Sequence, residues 1–243
     1  MPGSGVTRAG RRWVAAGTAG LVASAALGVG ASLSHAGASI AERCQAIAAA
    51  SEVRHAAVIG DGPRVAVIGD SYSQGAHLTD PTGSWPSWLP GQVVVDGFAG
   101  SGFTAAASPC SDEAFGLRVA RALAADPALV VVQGGLNDYD VPDEELRSGV
   151  RDVLHQLAGR RAVLVGPPQA PRRAAQAARV DAVLAAEAER AGVPYVRTSE
   201  WQLTFLPDRL HLTPDGHRAF GEAVAAQIAG LTAGLDGLAD GLS

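Results

Sequence analysis

Five short, valine-rich apolar runs recur along the chain: Arg64–Gly69, Gln92–Asp96, Ala128–Gln133, Ala162–Gly166 and Pro194–Arg197. Most are stopped by glycine or proline. They are apolar at consecutive positions rather than at alternate ones, so each strand must be covered on both faces. The segments between them, Glu113–Ala125, Asp143–Ala158 and Arg172–Ala191, carry apolar residues at helical spacing. A short helix over Ser39–Arg54 precedes the first run. A final helix over Pro214–Leu231 opens with Thr213 as its N-cap and Pro214 in its first turn. Strand–helix alternation of this kind predicts an α/β fold: a three-layer α/β/α sandwich around a central, mostly parallel five-stranded sheet. No repeat of 20–50 residues is present.

The chain has 243 residues, of which 47% are hydrophobic and 18% charged, enough to bury one large core and to exclude bulk disorder. The formal net charge of −5 and the aromatic content of 5% argue against a nucleic-acid partner, which needs a basic surface or stacking platforms.

Residues 1–36 read as an address rather than as part of the fold. Arg8, Arg11 and Arg12 precede a run, Trp13–Ala41, that contains no Asp, Glu or Arg. Ser34-His35-Ala36 places small residues where a signal peptidase reads, and Arg11-Arg12 faintly resembles a twin-arginine signal. A cleaved signal peptide, a retained N-terminal membrane anchor and a soluble helix all remain open. Its part Trp13–Leu33 is long enough to span but rich in Gly, Ala, Ser and Thr, which makes a weak membrane helix. The expected location is secreted or extracytoplasmic, with the membrane reached only through this segment. Residues 37–62 are expected to form a helix and linker, 63–231 the main domain and 232–243 a flexible tail.

Cys44 and Cys110 have no metal-site spacing. They are either two buried thiols or, in an exported protein, one disulfide closing a long loop.

Chemistry in open α/β sheets gathers at the carboxyl ends of the strands. Gly69-Asp70-Ser71-Tyr72 follows the first run, Gly97-Phe98-Ala99-Gly100-Ser101-Gly102-Phe103 the second, and Gly134-Gly135-Leu136-Asn137-Asp138-Tyr139 the third. Asp208-Arg209-Leu210-His211 precedes the last helix. Each alone has an ordinary reading as turn chemistry, a helix cap or a surface pair. Together, in this order and register, they are harder to dismiss.

In these four blocks the chain resembles the SGNH hydrolases, the GDSL-type esterases and lipases, over residues 63–230. The resemblance implies a flavodoxin-like sheet and a serine esterase of small or short-chain acyl esters, on sugars or lipids, that needs no cofactor and no metal. It implies Ser71 as nucleophile, His211 as general base and then acid, and Asp208 as the group that holds the imidazole tautomer. It assigns the oxyanion donors to the backbone N–H groups of Ser71 and Gly100 and to the Asn137 side chain. Gly102 remains the alternative to Gly100. The second block is the weakest match, because Asp96 and Gly97 stand where the family often has an Asn.

Tyr72, His77 and Tyr139 are candidate substrate-binding residues. Phe98, Phe103, Trp201–Phe205 and Gln169 are further candidates for lining the site. His217 is expected to face solvent or pack locally, and His55 and His155 to lie at the surface. The partner is then a small-molecule or glycan ester. The same residues also suit an acyltransferase, and the same fold suits a non-hydrolytic glycan- or cell-wall-binding protein.

Overall fold

A computed structural model describes Met1 and residues 39–240. The proposed signal or anchor, residues 1–36, therefore lies outside the described residues, apart from Met1. The chain divides into two units, residues 1–43 and Cys44–Ser243. Of the first, residues 39–43 are helical.

The second unit opens with helical residues 44–56 (α1). The order thereafter is β1 Arg64–Gly69, α2 Ser71–Gln74, β2 Gln92–Gly97, α3 Phe115–Leu123, β3 Leu129–Gln133, α4 Asp143–Gln156, β4 Ala162–Val165, α5 Ala174–Ala191, β5 Tyr195–Val196 and α6 Pro214–Asp240. The five strands form one sheet in the order β2-β1-β3-β4-β5. All four pairings are parallel, so the sheet is wholly rather than mostly parallel.

The reason is visible in the burial. Val65 and Val67 of β1 pack on one face with Val93, Val95, Val131 and Val165, under Phe220, Val224 and Ile228 of α6. Ile68 packs on the other face with Val130, Val132 and Leu164, against Val119 of α3, Val150 of α4 and Val180 of α5. Alternate residues of each strand thus serve opposite layers, and each fully buried Val or Ile contributes roughly 1.5–3 kcal/mol by leaving water. The strand order reverses between β1 and β3, and this crevice is where a doubly wound sheet presents a ligand site.

Two features differ from expectation at the C-terminus and at a histidine. The backbone stays helical to Asp240, where a tail was expected from 232. His217 does not face solvent: it is 1% exposed, and its Nδ1 accepts the Trp85 backbone N–H at 3.3 Å. Thr213 caps α6 as expected, its Oγ1 accepting the Gly216 N–H at 3.0 Å. His155 is exposed, whereas His55 is half-buried with Nδ1 3.2 Å from the Val95 carbonyl oxygen.

Cys44 and Cys110 are joined as a disulfide, with their Cα atoms 5.8 Å apart across a sequence separation of 66. In the chain-entropy model such a loop stabilises by about 4 kcal/mol. Replacing both cysteines by serine is therefore expected to lower the midpoint of guanidinium unfolding without changing far-UV circular dichroism. An unmoved midpoint would show that the bridge carries no stability.

Candidate active site

Three of the four sequence blocks sit at the carboxyl ends of the adjacent strands β2, β1 and β3, and the fourth reaches them from the turn before α6. The first block is a strand-to-helix corner. Asp70 caps the single turn of α2, its Oδ1 accepting the Tyr72 N–H at 2.9 Å. The corner is tight because two glycines permit it. A Cβ on Gly97 would lie 2.5 Å from the Gln74 nitrogen, and one on Gly69 would lie 2.0 Å from Ser73 Oγ. Ser71 is thereby placed as the first residue of the turn, 8% exposed.

Facing it is His211. Its Nε2 lies 3.2 Å from Ser71 Oγ, and its Nδ1 lies 2.6 Å from Asp208 Oδ2. The other oxygen of Asp208 accepts the backbone N–H groups of Leu210 and His211, both at 3.0 Å. The turn between them is sharp, with Arg209 in the left-handed region at φ 59°. Burial of Asp208 would raise its pKa, but the hydrogen bonds from the His211 ring and from the two backbone amides outweigh it and hold the carboxyl well below the usual range. Desolvation lowers the His211 pKa below its ordinary 6.5, and the Asp208 hydrogen bond only partly opposes this. At neutral pH the ring is therefore uncharged and able to accept a proton.

Asn137 lies just after β3. Its Nδ2 donates to the Ser101 carbonyl at 2.8 Å, and its Oδ1 accepts from Arg173 at 2.8 Å. Both contacts fix which end of the amide is nitrogen. A carboxamide has two N–H donors, so one remains to point elsewhere. The bond to Ser101 also sets Asn137 beside the Ser101–Gly102 peptide, one residue beyond Gly100. Gly100 has φ +83° and open space before its Cα, the nearest atom to a Cβ being Ser108 Oγ at 3.9 Å. Gly102 serves packing instead, since a Cβ there would come within 2.3 Å of Asp138 Oδ2. Neither the Ser71 nor the Gly100 N–H has a hydrogen-bond partner among the described residues.

Tyr72 does not line an open pocket. It is 1% exposed, its hydroxyl donates to the Leu210 carbonyl, and its ring lies against His211, His217 and Phe220. An apolar ring beside the buried α2 turn packs inward, so Tyr72 braces the His211 loop rather than contacting solvent. Phe98 and Phe103 are likewise buried, Phe103 edge-on to Phe115. Gln169, Trp201, Leu203 and Phe205 border a separate cavity of about 500 Å³ together with Asp181 and Arg197. Tyr139 is half-buried beneath the Arg173 guanidinium, 4.2 Å from its ring centre. His77 is exposed, with its ring centre 4.3 Å from that of His211.

Three supporting residues took no site role in the sequence reading, although Asp138 stood in the third block, where its ordinary reading is a helix cap. Arg173 bonds Asn137 Oδ1 and the Leu136 carbonyl. Asp138, rather than capping the next helix, accepts the Phe103 N–H at 3.1 Å and the Thr104 N–H and hydroxyl, each at 3.0 Å. Burial pushes its pKa up to about 6 against these bonds. Arg118, 1% exposed, gathers the Gly69 carbonyl, the Asp96 carboxylate and Ser101 Oγ. An arginine inside a helical stripe reads as a solvent residue, and no local pattern marks any of the three.

With this geometry in view, residues 67–219 match the model of the GDSL-like lipase/acylhydrolase family. The chain belongs to that family and is a carboxylic ester hydrolase of the SGNH class. Among solved structures it is similar to a carbohydrate acetylesterase from Sinorhizobium meliloti, at 16% identity and TM-score 0.61 over 70% of this chain and 100% of that one. It is similar to the aryl esterase of M. smegmatis, at 19% identity and TM-score 0.60 over 70% and 100% of the two chains. A catalytic mutant of an acetylxylan esterase from Geobacillus stearothermophilus aligns at 17% identity and TM-score 0.53 over 70% and 95%. No curated protein sequence matches the chain.

The electrostatics can be checked directly. The His211 ring is expected to titrate below 6.5 by NMR. Asp208→Asn should move the midpoint lower still, because the carboxylate is the group that raises it. An upward shift in that variant would contradict the desolvated site described above.

Proposed function

We propose that the protein is an exported serine esterase acting on small or short-chain acyl esters, with Ser71 as nucleophile, His211 as base and acid, and Asp208 orienting the imidazole. The observation that carries this reading is the Ser71–His211–Asp208 relay, at 3.2 and 2.6 Å. A serine hydroxyl needs a base to take its proton as it attacks an acyl carbon. His211 Nε2 accepts that proton, and Asp208 stabilises the imidazolium that forms. The same proton then passes to the leaving alkoxide as the tetrahedral intermediate collapses. Water repeats the cycle on the acyl-serine.

The oxyanion of that intermediate is received by the N–H groups of Ser71 and Gly100 and by the remaining N–H of Asn137. The Arg173 cation, bonded to Asn137 Oδ1, polarises the amide and strengthens its N–H as a donor. The cavity of about 500 Å³ bordered by Gln169 and Phe205 has neither Ser71 nor His211 in its lining, which favours small acyl groups. The carbohydrate acetylesterase among the similar structures agrees with that choice. The Cys44–Cys110 disulfide supports an oxidising compartment, in line with the basic and then apolar N-terminus.

The test is hydrolysis of p-nitrophenyl acetate, butyrate and octanoate. Ser71→Ala is expected to lower turnover by about 1,000-fold or more, and Asn137→Ala by about 100-fold. The parent rate should fall from acetate to octanoate. With a neutral His211 required, kcat/KM is lost as the pH drops through the His211 pKa, so the acid limb should lie below pH 6.5. Equal rates for the folded parent and Ser71→Ala would refute the mechanism. A rate rising toward octanoate would refute the small acyl site.

A further inference from the structure

His77 has no part in the relay, yet it stands beside it. It follows Gly75 at the end of α2, in a turn closed by the Leu78 N–H on the Gly75 carbonyl at 3.1 Å. Its own backbone is left-handed, at φ 70°, a conformation few residues other than glycine adopt. That turn holds the imidazole out from the fold and against His211, with ring centres 4.3 Å apart. One ring nitrogen from each histidine and one carboxylate oxygen of Asp208 lie within 4.8 Å of one another.

We propose that His77, His211 and Asp208 form an inhibitory site for a borderline divalent cation such as Zn²⁺. Two imidazoles and a carboxylate are a donor set that zinc accepts, leaving a fourth position for water. Tetrahedral Zn²⁺ holds its ligand atoms about 3.3 Å apart, so His77 must draw in, and His211 Nδ1, where it is the ligand atom, must part slightly from Asp208 Oδ2, 2.6 Å away. The exposed His77 side chain is free to make that movement. Hard cations that want six or more oxygens, Mg²⁺ and Ca²⁺, do not fit two nitrogens and one carboxylate.

Inhibition follows from proton bookkeeping. Neutral His211 carries one proton, on the nitrogen facing Asp208. A cation that takes this nitrogen sends the proton to Nε2, which then has no lone pair for the Ser71 hydroxyl. A cation that takes Nε2 blocks the hydroxyl directly. Apart from this exchange of one N–H bond for the other, only metal–ligand bonds are made or broken, and removal of the cation restores the resting tautomer.

The consequence for activity rests on His211 being the base, whereas the binding does not, and the experiment separates the two. Zn²⁺ is titrated calorimetrically into full-length Ser71→Ala protein, and esterase rates of the otherwise unchanged enzyme are followed in metal-buffered Zn²⁺. One Zn²⁺ is expected to bind per chain, and micromolar Zn²⁺ should suppress hydrolysis reversibly, with EDTA restoring it and millimolar Mg²⁺ leaving it unchanged. His77→Asn should weaken both binding and inhibition by about tenfold or more, each rate being compared with that variant's own metal-free rate. Circular dichroism of His77→Asn confirms that the variant folds. Absence of Zn²⁺ binding to Ser71→Ala, or equal half-inhibition concentrations with and without His77, would overturn the site. Binding that depends on His77 but leaves the esterase rate intact would uphold the site and overturn its inhibitory role.

Discussion

The guanidinium of Arg118 is buried where β1 and β2 end. It donates to the Gly69 carbonyl at 3.0 Å, to the Asp96 carboxylate at 2.9 Å and to Ser101 Oγ at 2.8 Å. A buried cation costs several kcal/mol in lost hydration, and only close pairing with satisfied hydrogen bonds offsets that cost. Burial accordingly lowers the Arg118 pKa, and Asp96 is the partner that most opposes the shift. Asp96 in turn accepts a second arginine, Arg121, at 2.7 Å. The return on this arrangement is positional. One fork ties the residue before the Asp70-Ser71 corner to the loop that carries Gly100, so two strand ends and this loop keep a fixed relation. Asp138 does the same from the β3 side by holding the Phe103 and Thr104 amides.

The layers of the fold could be read from the chain because a strand buried on both faces has no choice but to be apolar throughout. Arg64–Gly69 is called to the residue, and the other strands differ by one residue at one or both ends. The chemistry of the site was legible for a related reason: Ser71, Asn137, Asp208 and His211 lie in short local motifs after strands and before a capped helix. Arg118, Arg173 and Asp138 were not legible. Their contacts cross 17 to 49 residues of sequence for Arg118, 36 and 37 for Arg173, and 34 and 35 for Asp138. Nothing in helical periodicity tells an arginine that turns inward from one that faces water. Tyr72 and His217 were misplaced for the same cause, since each packs on a residue more than 100 positions away.

The structure separates the surroundings of Gly100 and Gly102, which spacing could not. Both glycines are required, but by different forces. Gly100 is needed for its positive φ and faces open space, whereas Gly102 is needed because the Asp138 carboxylate occupies the volume of a side chain. Gly100 is half-buried and Gly102 buried, which favours Gly100 as the donor in the proposed mechanism.

Tyr72 links the two halves of the site mechanically. It is the residue after Ser71, and its hydroxyl holds the carbonyl of the residue before His211. The loop bearing His211 is otherwise fixed at its base, where Phe205 pairs with Leu212 and the Leu206 N–H donates to the His211 carbonyl at 2.7 Å. The Arg209 carbonyl also accepts from the Arg172 N–H at 2.9 Å. Ser71 and His211 lie 140 residues apart in the sequence, yet one tyrosine spans the gap between their immediate neighbours. The Tyr72 ring is packed against Phe220 and His217 of α6, so the residue that follows Ser71 also holds the His211 loop from inside the core.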